Sequence, residues 1–189
     1  MTAKLIFLAG SARKDSLNKK LAKAAAQKAE ELGAQITYID LADYPMPIYC
    51  EDLEAEQGLP ENAKKLKALF AEHDGFLISS PEYNSTFSPL LKNTFDWMSR
   101  PSEKGEAPHP ATKGKTVALM AATPGALGGI RVMVPLRLWF SNIGSHVIPT
   151  QFCLGKAHES FDGEDNYTGN NPLFEATLKE FIETAQALS

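Results

Sequence analysis

Cysteine is nearly absent. Cys50 and Cys153 are the two in 189 residues, far apart and in no CxxC spacing, so neither a disulfide framework nor a cysteine-based zinc site can be assembled. Both thiols are expected to be reduced and structural. Long apolar runs are missing as well. The stretch after Met1, TAKLIFLAGS, has strand length and Lys4 as its lone basic residue. That is too short for a signal-peptide core plus cleavage site, and far short of the ~20 apolar residues that cross a bilayer. The sequence therefore predicts a cytoplasmic protein with no membrane partner, and the glycosylation-like triplets at Asn84 and Asn166 become coincidences. Metal-ligand spacing is lacking among His73, His109, His146 and His158, and Asp162, Glu164 and Asp165 do not complete a calcium loop, so no metal is expected. Positive charge is not in excess either: a formal net charge of −4 argues against nucleic acid as the main partner.

What is present is the composition of a soluble globular protein, 43% hydrophobic and 22% charged, in a chain long enough for one domain spanning 1–189. Strand-length apolar runs recur at 4–9, 34–40, 74–80, 115–122 and 146–150. Most are continuous rather than alternating, as expected of strands covered on both faces. Helix-length segments lie between them, at 17–32, 60–72, 88–99, 129–143 and 172–188, with Gly33 as a stop after the first, Pro60 and Pro172 as openers, and a strain or kink expected at Pro135. Strict βα alternation implies an α/β fold with a parallel sheet wrapped on both faces by right-handed crossovers. The segments 43–59, 101–113 and 151–171 read as surface loops.

In such a sheet a ligand sits beyond the carboxyl ends of the strands, which directs attention to the loops after strands one, three and four. The first, GSARKDSLN, offers Gly10 for a sharp turn and then a helix N-terminus, with Ser11 and Ser16 hydroxyls, the forked cation of Arg13, the Leu17 position and the Asn18 amide. These residues make a cradle for one phosphate. GxGxxG and GxxxxGK[ST] are both absent, which disfavours a Rossmann dinucleotide turn and a P-loop. The second loop, Pro81, Glu82, Tyr83 and Asn84, combines a rigid turn, spare backbone N–H groups and an aromatic face, suited to a planar heterocycle. The third, ATPGALGGIR, with Thr123, Pro124 and Gly125, carries glycines that would let a flat ring approach the backbone. One loop for a phosphate and two for a ring match flavin mononucleotide. A serine hydrolase would need GxSxG and a low-molecular-weight phosphatase CxxxxxR, and neither occurs.

The blocks GSARKDSLN (10–18), PEYNSTFSPLLKNTFDW (81–97) and GGIRVMVPLRLWFSNIGSHVIP (128–149) resemble the signature blocks of the NAD(P)H-dependent FMN reductase family, and the similarity runs on to the ESFDGEDNYTGNNPL connector before the last helix. The resemblance implies a flavodoxin-like three-layer sandwich with a five-stranded parallel sheet of order 2-1-3-4-5. It places FMN phosphate contacts on Ser11, Arg13, Ser16, Leu17 and Asn18, and ring contacts on Pro81, Glu82, Tyr83, Asn84, Thr123, Pro124 and Gly125. It implies NADPH or NADH as co-substrate and a ping-pong reaction in which the flavin, not a catalytic side chain, carries the chemistry. The acceptor would be a small molecule: a quinone, a flavin, a metal oxyanion or an azo compound. Asp15 departs from the pattern by putting a carboxylate in the phosphate loop, which is tolerable if it points to solvent or caps the helix. The resemblance also implies a homodimer, or a homotetramer; Phe87, Phe95, Trp97, Met98 and Trp139 together are more aromatic surface than one small core requires, which a partner copy would cover, while core packing is the expected role of any one of them. The alternative is a flavodoxin-like electron carrier or regulatory FMN-binding protein without NAD(P)H turnover. The mild charge and the PEYN block disfavour it, because such carriers are strongly acidic.

Overall fold

The computed structural model describes residues 2–107 and 109–189. Position 108, within the predicted loop 101–113, and Met1 lie outside the described residues. Five strands form a single sheet: β1 Lys4–Ala9, β2 Gln35–Ile39, β3 Gly75–Ser79, β4 Thr116–Ala122 and β5 His146–Leu154, in the order β2-β1-β3-β4-β5 with every pairing parallel. The helices are α1 Leu17–Glu31, α2 Glu51–Gln57, α3 Glu61–Ala71, α4 Pro89–Ser99, α5 Ile130–Asn142 and α6 Pro172–Leu188.

The period-2 geometry of a strand sends Leu5, Phe7 and Leu77 to one face, where they pack with α1 and α6 residues such as Leu21, Leu178 and Phe181. Ile6, Leu8, Phe76 and Ile78 go to the other, against Leu66, Phe70, Phe95 and Phe140 of α3, α4 and α5. Both faces are covered, so both parities must be apolar; this is why the runs did not alternate. Local signals set the helix ends. Ser16, Ser88 and Asn171 cap α1, α4 and α6 with their side chains, Pro89 and Pro172 occupy first turns, and Gly33 follows α1 at φ +92°.

Two expectations need correction. The predicted loop 43–59 contains α2, whose sequence EDLEAEQ buries no residue; without an apolar stripe its helix had no periodicity to display, and the acidic first turn favours it through the helix dipole. The fifth strand does not stop at 150 but continues to Leu154 through a bulge. Val147 pairs with Val117 and Gln151 with Leu119, so Ile148, Pro149 and Thr150 lie opposite the single residue between. Arg137 donates to the carbonyls of Ile148 and Pro149 and holds that bulge. Pro135 lies inside α5, which runs from Ile130 to Asn142.

The aromatic set divides. Phe95, Trp97 and Met98 are core residues, the role expected of any one of them, and Trp97 donates its indole N–H to the Pro47 carbonyl at 2.8 Å. Phe87 and Trp139 are half-buried against each other. Exposed large apolar side chains form a row on one face of α5, at Ile130, Val134 and Leu138, with Leu127 just ahead of the helix; Ile48, Leu173 and Leu188 are exposed elsewhere.

Candidate functional site

Strands β1, β3 and β4 are neighbours at the centre of the sheet, so their carboxyl-end loops converge. The first two loops are stitched together. Gly10 donates its N–H to the Ser79 carbonyl at 2.9 Å, and the Ser88 hydroxyl donates to the Gly10 carbonyl at 2.6 Å while accepting from Leu91 N–H as the α4 cap. A Cβ on Gly10 would lie 3.2 Å from Ser88 Oγ and 3.3 Å from Pro81 Cδ, closer than most side chains tolerate. Glycine is needed there because the second loop packs directly on it.

The phosphate-type cradle is formed. Ser16 caps α1 by accepting from Lys19 N–H at 3.4 Å, and the buried Ser11 accepts from Arg13 N–H at 3.3 Å. The Leu17 and Asn18 N–H groups belong to the first turn, which has no intrahelical acceptor. Arg13 is exposed, and Asp15 is too, so its carboxylate stays in water. Asn18 has a different task from the free amide expected. It is 3% exposed; its Oδ1 accepts from Ser79 Oγ–H and Ala122 N–H, both at 2.9 Å, and its Nδ2 donates to the Ala122 carbonyl at 2.9 Å. Asn18 braces α1 against β3 and β4.

In the second loop Tyr83 and Thr86 exchange two backbone hydrogen bonds around Asn84 and Ser85, whose φ angles of 51° and 66° identify a type I′ turn. Asn therefore stands at 84 because it tolerates positive φ. Tyr83 leaves 49% of its surface exposed. Glu82 turns away from solvent: its Oε2 accepts from Arg131 N–H at 2.9 Å and Val132 N–H at 3.2 Å, capping α5 where the N-cap residue, Gly129, has no side chain to do so. The glycines of the third loop divide by role. A Cβ on Gly128 would meet the Cys153 and Gly155 backbone at 2.8 Å, and one on Gly129 would meet the Ala121 Cβ at 2.8 Å. Those two admit the end of β5 and β4, not a ligand. Gly125 alone faces open space, with only Thr123 Oγ1 nearby at 3.8 Å.

The predicted residues, except Asn84 and Gly125, line one cleft of about 210 Å³, with Ala122 added to its walls. A larger cleft of about 380 Å³, between α1 and the 166–172 segment, includes none of the three loops. Among the described residues, Arg13 and Glu82 are the charged groups on the walls of the three-loop cleft, and Glu82 is already committed to α5. Cys153 lies behind the third loop; burial and the Glu82 carboxylate push its thiol up to about 11, so it is no nucleophile at neutral pH. Among the described residues no cluster of His, Cys, Asp and Glu could hold a metal. The cleft thus brings Ser11, Arg13, Ser16 and the first turn of α1 together with Pro81, Tyr83, Thr123 and Pro124. Sequence reasoning missed Ser79 and Ser88, which join the loops through Asn18 and Gly10; the paired serines ending the apolar run of strand three were the available signal for the first.

The profile described as NADPH-dependent FMN reductase matches residues 3–159. The chain belongs to the NADPH-dependent FMN reductase family. It is 31% identical over 187 residues to the probable NADPH:quinone oxidoreductase 2 of Oryza sativa subsp. japonica, covering 96% of this chain and 86% of that one. It is 31% identical over 174 residues to a quinone reductase of Pseudomonas putida, covering 91% and 89%. Its structure superposes with a TM-score of 0.82, at 26% identity and 98% coverage of each chain, on the flavoenzyme NAD(P)H:(acceptor) oxidoreductase FerB of Paracoccus denitrificans. This FMN reductase family member is an NAD(P)H-dependent oxidoreductase with FMN as its cofactor. The residues present fit that group: an exposed guanidinium, two serine hydroxyls and a helix N-terminus suit its phosphate, and Pro81, Tyr83 and the open side of Gly125 suit its ring. No helix among the described residues is long and apolar enough to cross a membrane.

Proposed function

We propose that the three-loop cleft seats FMN with its phosphate on Ser11, Arg13, Ser16 and the first turn of α1, and its ring against Pro81–Asn84 and Thr123–Gly125, and that the protein reduces quinones at the expense of NADPH or NADH. The division of the cleft carries this reading: Ser11, Ser16, Arg13 and the start of α1 suit an anion, Pro81, Tyr83 and Thr123 suit a flat ring, and the Glu82 carboxylate is committed to α5. FMN, when bound, would supply the redox chemistry between a nicotinamide donor and the acceptor. The chain's own part is to bind and orient. Arg13 and the Leu17 and Asn18 N–H groups hold the phosphate, Tyr83 presents an exposed aromatic face, and Glu82 fixes the second loop by its bonds to α5. The reading includes binding of donor and acceptor in turn, in ping-pong order, as the family resemblance implies. Quinones are favoured among the acceptors by the names of the rice and Pseudomonas relatives.

The reading includes a homodimer of single-domain subunits, residues 1–189, working in the cytoplasm. Ile130, Val134 and Leu138 recur at i, i+4 and i+8 and are 49%, 71% and 63% exposed, an apolar stripe that a second α5 can cover across a two-fold axis. The stripe alone is smaller than the ~800 Å² per partner of a standard interface; Leu127 and Tyr83 extend it toward the rim of the cleft. Steady-state oxidation of NADPH by the FMN-loaded protein with benzoquinone tests the activity. Parallel double-reciprocal lines are expected, and an absence of quinone-dependent oxidation with either nicotinamide would overturn the assignment.

A further inference from the structure

Lys19 occupies the third position of α1, where a leucine would pack, yet it is a charged residue only 7% exposed. Its Nζ lies 2.7 Å from Asp40 Oδ2 and donates to the Ala12 carbonyl at 3.4 Å. Asp40 is itself fixed, because its Oδ1 accepts from Ala42 N–H at 3.0 Å as the cap of the turn that follows β2. Lys19 is buried while Asp40 keeps 27% of its side chain exposed, and an ion pair between such partners gains little stability over an apolar pair of similar size, so stability alone does not account for its presence. Its contacts point elsewhere. Lys19 holds the phosphate loop at both ends: its side chain engages Ala12, and its main-chain N–H binds Ser16 Oγ at 3.4 Å. In a trans peptide the C=O and N–H point in opposite directions. With the Ala12 carbonyl drawn toward Lys19 Nζ, the Arg13 N–H of the same peptide is turned to Ser11 Oγ, and the orientation of the segment that carries the Arg13 guanidinium is set.

We propose that Lys19, anchored by Asp40 at the end of β2, is a positioning residue that sets the phosphate loop for the phosphate group of FMN. The inference rests on the FMN reading above. It predicts a defect confined to the phosphate end of the ligand, which a comparison of FMN with riboflavin isolates, since riboflavin shares the ring and the polyol and lacks the phosphate. Dissociation constants of both flavins are measured by fluorescence quenching on flavin-free protein. Lys19→Met should raise the FMN constant about tenfold and leave the riboflavin constant within about twofold. The double variant Lys19→Met with Asp40→Asn is read in the same way; it leaves no unpaired carboxylate at the end of β2 and no change in net charge, so it folds where the single variant fails and reports position rather than charge. An unchanged FMN constant, or FMN and riboflavin weakened by the same factor, overturns the proposal. Unsubstituted protein that binds neither flavin overturns the FMN reading itself, a result distinct from both.

Discussion

The Glu82 carboxylate sits on the N-terminus of α5, bonded to the main-chain N–H of Arg131 at 2.9 Å and reaching the Arg131 guanidinium at 3.4 Å. A residue of the second loop thereby secures the helix that bears the exposed stripe, and the helix in return secures the loop. Truncation to Glu82→Ala removes a cap and should destabilise the protein by about 1 kcal/mol. It should weaken FMN and riboflavin alike, because it acts at the ring end. Urea unfolding and flavin titration check both effects; an unchanged urea midpoint would show that the cap is idle.

Arg13 acts at the other end. It is the cation on the cleft wall next to the α1 N-terminus, and no carboxylate among the described residues pairs with it. Arg13→Ala should cost about 1.5–3 kcal/mol of FMN affinity, tenfold or more, through loss of a charge-assisted contact, with riboflavin affinity unaffected. Titration of flavin-free protein gives the answer directly, and equal FMN affinity in both proteins would remove Arg13 from the site.

Alkaline stability should decline in a defined window. Burial, and then the Glu82 carboxylate, push the Cys153 thiol from 9.0 up to about 11; burial, and then Asp40 and Asp43, push the Tyr38 hydroxyl from 10.0 up to about 12. In the unfolded chain both groups ionise near their ordinary values, so between those values and the raised ones the unfolded state has lost protons that the native state keeps. Their contribution is complete below about pH 9 and is lost as pH rises through about 11 for Cys153 and about 12 for Tyr38. Urea midpoints at pH 8, 10 and 11 should fall, and Cys153→Ala should flatten the part of the fall between 9 and 11. A flat profile in the unsubstituted protein would contradict this.

The stripe on α5 makes a prediction about assembly. Val134 is 71% exposed and Leu138 63%, so a glutamate at either position is harmless to a lone subunit and costly in a covered interface. Val134→Glu and Leu138→Glu should convert a dimer to a folded monomer by light scattering in the micromolar range, with unchanged circular dichroism. A monomeric mass for the unsubstituted protein would remove the dimer from the proposal.

Much of the fold was legible because buried strands and bounded helices leave local marks: apolar runs without alternation, Gly33 after α1, and Pro60 and Pro172 at helix starts. Helix α2 was not, because it buries nothing and so carries no periodicity. The end of β5 was hidden by Pro149, which sits in a bulge whose restraint comes from Arg137 on a different element. The same division holds in the cleft. The loops could be chosen from the chain order, but the tasks of Asn18 and Glu82 depend on partners 104 and 49 positions away, Ala122 and Arg131. The glycines of the third loop read as room for a ring, and at Gly128 and Gly129 they prove to be room for neighbouring strands. Phe95, Trp97 and Met98 of α4 pack in the core, the role expected of any one of them, while exposed aliphatic side chains form a row on α5.

The most direct test is the visible absorption spectrum of the protein, loaded with FMN and titrated anaerobically with NADPH and then, separately, with NADH. The proposed function predicts a stoichiometric yellow flavin band that at least one nicotinamide bleaches and benzoquinone restores. A protein that stays colourless after incubation with FMN, or a bound flavin that neither nicotinamide bleaches, would contradict it.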